Sequence, residues 1–213
     1  MTGLLRKVEL IVLAALSAAS FTACKTTDTG SAGQGEAIVS KIEEVAPLVA
    51  GDPTVKDTGE VTMADMSGYS TYEKKTDYRF IKASVSDVLA KAEAKDSFAL
   101  YLAKPDASFC DATMPVLNKA ATAMNDYVYY IEIGNTEDFA VNYTALTKLI
   151  QNAVRKDKTG TTFEIPLVCW IQDGELASFD KGAPAGPKDL SQDNINSLYA
   201  SYIAAFGALQ SVD

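Results

Sequence analysis

The stretch IPLVCWIQDGELASFDKG, residues 165–182, decides the architecture. Two short β-favouring runs, 165–171 and 175–179, flank Gln172-Asp173-Gly174. An Asp-Gly pair between such runs signals a hairpin, because both residues tolerate the positive φ of a tight turn. Upstream, a helix is expected around 138–154, with Phe139, Leu146, Leu149, Ile150 and Val154 facing inward. Before it, YVYYIEI (127–133) is a strand by β-propensity. SFALYLA (97–103) reads as a buried strand, broken by Lys104-Pro105-Asp106 and followed by a helical stretch to about 125 with Pro115 inside it. Residues 78–82 read as a strand, and Ser84-Val85-Ser86-Asp87 opens a helix with a capping box and an inner face of Val85, Val88, Leu89 and Ala92. Downstream of the hairpin, Ser191 caps a last helix whose face carries Ile195, Leu198, Tyr202, Ile203 and Phe206. The order is β-α-β-α-β-α-β-β-α. Strand–helix alternation ending in a hairpin predicts an α/β domain with a central mixed sheet and helices on both faces.

Composition narrows the chemistry. The 213 residues carry 19 Lys+Arg against 28 Asp+Glu, no histidine, and three cysteines, Cys24, Cys110 and Cys169. Without histidine there is no Ser/His/Asp or Cys/His nucleophilic pair, no two-His metalloprotease helix and no mixed Cys/His zinc site. Three cysteines are too few for a four-Cys metal cage or a disulfide-stapled mini-domain. The acidic balance argues against nucleic acid, whose phosphates need a basic face. Asp106, Asp111, Glu132 and Glu164 have no metal-loop spacing. No metal and no cofactor is expected.

The first 23 residues read as a signal. Arg6 and Lys7 precede an apolar, small-residue run over 10–23, too short to span a bilayer comfortably. It ends Phe21-Thr22-Ala23-Cys24, which resembles the bacterial lipoprotein motif, in which the cysteine is lipid-modified and becomes the new N-terminus. Phe21 stands where leucine is usual, and a plain secretory signal with a chance cysteine is the alternative. Without residues 1–23 the chain has 17 basic and 27 acidic residues, a balance that an anionic membrane surface repels. Attachment must then come from acyl chains, two or more of which anchor stably. Residues 25–36, KTTDTGSAGQGE, have the composition of a flexible tether with a mean reach of about 20 Å. The expected units are the signal (1–23), lipidated Cys24 with its tether (24–36), an N-terminal extension (37–77) and the α/β domain (78–213). In the extension, 37–49 has helical spacing, ended by Gly51-Asp52-Pro53. Residues 54–77 show no period and allow a short hairpin around Ser67-Gly68.

The element order is that of the thioredoxin fold, and local spacings agree. In that family a strand leads to a Cys-x-x-Cys loop that opens a helix, kinked by a proline five residues beyond the second cysteine. Cys110 and Pro115 have that spacing. Ile165-Pro166, the apolar strand after it, Asp173-Gly174 and Gly182 match the family's later pattern. The resemblance implies that Pro166 is cis. RFIKASVSDVLAKAEAKDSFALYLAKPDASFC (79–110) and YVYYIEI are similar to extracytoplasmic thioredoxin-like proteins of Gram-positive bacteria, including bacteriocin transport accessory proteins. The resemblance covers about 78–206.

One departure bears on function. With Pro115 setting the register, the motif is Ala107-Ser108-Phe109-Cys110, and alanine stands where the family's attacking thiol would be. Cys110 then lies one turn inside the helix, where desolvation and Asp111 disfavour a thiolate. In a rival register Cys110 attacks and the motif is Cys110-Asp111-Ala112-Thr113. Cys169 lies three residues past Pro166 and faces the other way. It reads as a small buried hydrophobe, a bond to Cys110 being the alternative. Trp170 and the tyrosines of 127–130 read as core.

Two functions are consistent with these readings. One is a binding or accessory module: the resemblance implies a ridge where extended polypeptide docks by strand-like hydrogen bonds, here built from Ala107, Ser108, Phe109, Ile165 and Pro166. Its partner is an extended or secreted polypeptide, met at the outer face of the cytoplasmic membrane. The other is a monothiol exchange protein acting through Cys110. A further possibility is that 37–77 covers the degenerate site.

Overall fold

A computed structural model describes residues 34–43, 51–55, 61–134, 137–158 and 160–211. The expected signal, Cys24 and most of the tether lie outside them. The elements are α1 (Gln34–Val39), β1 (Phe80–Lys82), α2 (Val85–Glu93), β2 (Phe98–Ala103), α3 (Ser108–Ala123), β3 (Val128–Glu132), α4 (Glu137–Leu149), β4 (Arg155–Asp157), β5 (Gly160–Thr162), β6 (Leu167–Gln172), β7 (Glu175–Asp180) and α5 (Gln192–Gln210).

Five strands form one sheet in the order β1-β3-β2-β6-β7. β1, β3 and β2 run parallel, and β6 and β7 continue the sheet antiparallel. β2 is central and buried at all six positions, as FALYLA demands of a strand covered on both faces. Alternation along the strands divides the core. Phe80, Ala99, Tyr101, Val128, Tyr130, Val168 and Trp170 face α1, α3 and α5. Ile81, Phe98, Leu100, Tyr129, Ile131, Cys169 and Ile171 face α2 and α4. Each fully buried aromatic or aliphatic side chain here is worth roughly 1.5–3 kcal/mol. Together with the cis peptide bond at Ile165-Pro166, this is the expected thioredoxin-like architecture: a central mixed sheet, helices on both faces, and an N-terminal helical and irregular region.

Local signals act where expected. The Ser84 hydroxyl accepts from Asp87 N–H while the Asp87 carboxylate accepts from Ser84 N–H, closing the capping box of α2. Asp138, in the first turn of α4, accepts from Val85 N–H at 2.7 Å and from the Ser86 hydroxyl at 2.7 Å, tying the two helices on that face. Asp173 (φ 51°) and Gly174 (φ 77°) make the hairpin turn.

The structure corrects several boundaries. The strand read at 78–82 is β1 over Phe80–Lys82. The helix read to 154 ends at Leu149, and the polar β4–β5 pair follows it. Tyr143 of α4 donates its hydroxyl to the Thr161 carbonyl at 2.7 Å and so holds that pair. The N-terminal helix begins at Gln34, inside the stretch read as tether. It ends at Val39 in a turn, and 44–50 fall outside the described residues. No hairpin forms around Ser67-Gly68. Instead Met63 bridges to Ile81, with Ala64 N–H on Phe80 C=O (2.9 Å) and Lys82 N–H on Thr62 C=O (2.8 Å), so this backbone covers the β1 edge.

The extension is built into the core. Ile38, Ile42, Met66 and Tyr69 belong to the cluster under α3 and α5. Gly51 N–H reaches Gln210 of α5 (2.9 Å), and the Thr54 hydroxyl donates to the fully buried Asp126 carboxylate (2.8 Å). The segment 66–72 lies against the first turns of α3.

Candidate functional site

Ala107 is the N-cap of α3, with extended backbone (φ −103°, ψ 116°) and no side-chain cap, and Ser108 is the first helical residue. Cys110 is therefore inside the first turn, and Ala107 holds the helix mouth. Helical periodicity turns Phe109 outward, where it is 45% exposed, and Cys110 inward, where it is fully buried.

The environment of Cys110 disfavours ionisation. Burial pushes its thiol up to about 11, with Asp111 and Asp106 adding to the rise, against the opposing hydrogen bonds of the Lys104 backbone and the Tyr101 hydroxyl. At neutral pH only about one thiol in ten thousand is then a thiolate. Cys169 sits on β6, fully buried in the opposite core layer, and burial pushes its thiol still higher. The two cysteines are both free, on either side of the sheet.

Pro115 shapes α3. Lacking an N–H, it leaves the Asp111 carbonyl without its helical donor. The hydroxyl of Thr71 donates to that carbonyl at 2.7 Å, and Ser70 N–H donates to the Asp111 carboxylate at 2.7 Å. Burial raises the Asp111 carboxyl, and the Ser70 hydrogen bonds oppose the rise. Residues 66–72 thus pack beside Cys110, and Tyr69 bonds hydroxyl to hydroxyl with Tyr130 at 3.1 Å.

Three segments meet in front of the helix mouth. The first is Ala107, Ser108 and Phe109. The second is Ile165-Pro166, in which Ile165 is half-buried and Pro166 buried. Among the described residues, neither the N–H nor the C=O of Ile165 has a hydrogen-bond partner. The third is the loop after β7, where Gly182 has φ 71° and a Cβ would stand 2.5 Å from both Pro166 Cγ and Thr113 Oγ1. Only glycine fits that contact. Further along, Gly186 packs on Ser108. Asp180 accepts from Gly182 N–H at 2.6 Å and from the Tyr202 hydroxyl at 3.4 Å. Burial raises its carboxyl, and those two donors oppose the rise. Exposed ion pairs, Lys104–Asp106 at 2.8 Å and Lys181–Glu164 at 3.0 Å, flank the ridge.

The structure thus brings Ala107, Ser108, Phe109, Ile165 and Pro166 to one end of the sheet and buries Cys110 inside the first turn of α3. The reachable part of the cis-proline segment is the Ile165 backbone, the Pro166 ring being packed against Gly182. Sequence reasoning passed over Thr113, Asp180 and Gly186. Among the described residues no group of three or more Cys, Asp or Glu is placed to hold a metal ion, and no helix is long and apolar enough to cross a membrane. An open groove of about 1020 Å³ lies along the other flank of α3. Its lining mixes Lys74, Lys75 and Lys119 with Glu36, Glu73 and Asp77, and so selects no single charge class.

No protein-family model matches the chain, and no curated protein does. Among solved structures it is similar to thioredoxin O2 from Arabidopsis thaliana in the oxidized state, at 12% identity and TM-score 0.38, covering 58% of this chain and 94% of that one. It is similar also to the disulphide isomerase from Xylella fastidiosa Temecula1, at 17% identity and TM-score 0.33, covering 61% and 94%.

Proposed function

We propose that the chain is a membrane-tethered, extracytoplasmic thioredoxin-like lipoprotein that binds extended polypeptide as an accessory module, without dithiol chemistry of its own. The observation that carries this reading is the conjunction of an exposed Phe109 and an unengaged Ile165 backbone at the end of the sheet where α3 begins, with Cys110 fully buried in the first turn of that helix. A strand-like segment laid along Ile165 would take up its N–H and C=O, and Phe109 would supply the apolar contact. The partner is an extended stretch of a secreted protein. Cys24 carries the acyl chains that hold the domain at the outer face of the bacterial cytoplasmic membrane, since a chain this acidic gains nothing from an anionic surface. The accessory role follows the resemblance to bacteriocin transport accessory proteins.

The test uses the chain with Cys24→Ser and fluorescent, reduced and carboxymethylated α-lactalbumin as a permanently unfolded probe. Saturable binding that Phe109→Ala weakens by about tenfold is expected. No binding, or binding indifferent to Phe109→Ala, overturns the docking reading. Anchoring is tested by feeding cells an alkyne fatty acid: label must enter the chain and vanish with Cys24→Ala.

A further inference from the structure

We propose that Thr113 is the positioning residue that assembles the docking ridge. This rests on the polypeptide-binding reading above and names the group that holds its surface in shape.

Thr113 is fully buried on α3, in the turn after Cys110, and faces away from solvent. Its hydroxyl donates to the Phe109 carbonyl at 2.8 Å and accepts from Ala183 N–H at 2.7 Å. Back-bonding to the carbonyl four residues earlier is ordinary for a helical threonine. The second bond is not, since it comes from a segment 70 positions away in the chain. A backbone N–H can only donate, so the Thr113 oxygen must accept there, and its own proton is directed to Phe109. One hydroxyl therefore fixes the helix mouth and the loop after β7 to each other.

The cis-proline segment is joined to this pair through Gly182. Gly182 allows its backbone to close on Thr113 Oγ1 and the Pro166 ring together. Asp180 holds Gly182 N–H from the other side, and Gly186 of the same loop seats on Ser108. Phe109, Ile165-Pro166 and the loop 182–186 come from distant parts of the sequence; Thr113 bonds the first and the last directly, and the Pro166 ring packs against Gly182 of that same loop. Replacing its hydroxyl by a methyl leaves the buried Ala183 N–H without an acceptor. The loop must then move to find one, taking Gly186 from Ser108 and changing the surface next to Phe109.

The experiment compares Thr113→Val, which keeps the shape, with Thr113→Ser, which keeps the hydroxyl, both carrying Cys24→Ser. Binding of carboxymethylated α-lactalbumin is measured where near-UV circular dichroism shows each variant fully folded. Thr113→Val is expected to weaken binding by about tenfold or more, and Thr113→Ser to restore it. A purely structural threonine would lower the melting temperature and leave the affinity of folded molecules unchanged, and that result overturns the proposal. Amide hydrogen exchange of Ala183 in the unaltered chain gives a second readout that needs no variant to fold. Protection by about a hundredfold or more is expected, and an unprotected amide overturns the proposal. If the unaltered chain does not bind the probe, the docking reading fails and this inference with it. Binding that Thr113→Val leaves intact overturns the positioning role alone.

Discussion

The Thr71 hydroxyl donates at 2.7 Å to the carbonyl oxygen of Asp111, the one carbonyl that Pro115 leaves without a helical donor. A residue of the N-terminal extension thus satisfies the acceptor that Pro115 leaves open in the helix carrying the candidate site. Thr71 is fully buried, so water cannot replace it. Thr71→Val should lower stability by about 1–3 kcal/mol, the usual penalty of a buried acceptor left bare. Thr71→Ser should recover most of it. Urea denaturation of the two variants checks this.

The extension should behave as part of the domain. Removing residues 34–77 strips Met66 and Tyr69 from the core and leaves the Asp126 carboxylate without Thr54. Loss of several large buried side chains costs roughly 2–5 kcal/mol each. Residues 78–213 alone should show no cooperative melt at the temperature of the whole chain, as followed by far-UV circular dichroism.

The expected element order was legible because its signals are local. Asp173-Gly174 marked the turn, Ser84 and Asp87 the start of α2, and FALYLA a strand covered on both faces. β4 and β5 were missed because Arg155-Lys156-Asp157 and Gly160-Thr161-Thr162 carry no apolar alternation, their pairing being held through Tyr143. The path of 51–72 was illegible for a different reason. It is fixed by single long-range bonds, Thr54 to Asp126 and Thr71 to Asp111, which leave no period in the sequence. The site was half legible. The Cys110-to-Pro115 spacing located the helix mouth, whereas nothing about a threonine inside a helix announces that it meets Ala183.

Asp180 gives a pH signature. Its folded carboxyl titrates above the ordinary value of 3.8 because burial outweighs its two hydrogen bonds. The folded state therefore binds this proton more tightly than the unfolded chain, and the contribution of Asp180 to stability falls as pH rises from the ordinary value through the raised one. Asp180→Asn keeps an acceptor for Gly182 and Tyr202 but does not titrate. The variant should gain on the unaltered chain as pH increases across that window, as read from paired denaturation curves between pH 4 and pH 7.

Ala107 stands three residues before Cys110 across the first turn of α3, a separation that suits a disulfide between helical neighbours. Ala107→Cys should form an intramolecular bond with Cys110 under mild oxidation, seen as a loss of about 2 Da in the intact mass. Phe109, turned outward from the helix, should remain exposed in the bonded variant.

The most direct measurement is the rate at which Cys110 reacts with an aromatic disulfide reagent at pH 7 in the folded chain carrying Cys24→Ser and Cys169→Ala. A thiol fully buried and pushed up to about 11 should react far more slowly than free cysteine and reach the unfolded rate only in denaturant. Reaction faster than free cysteine, together with disulfide exchange that Cys110→Ala abolishes, would contradict a binding role and establish a thiol enzyme.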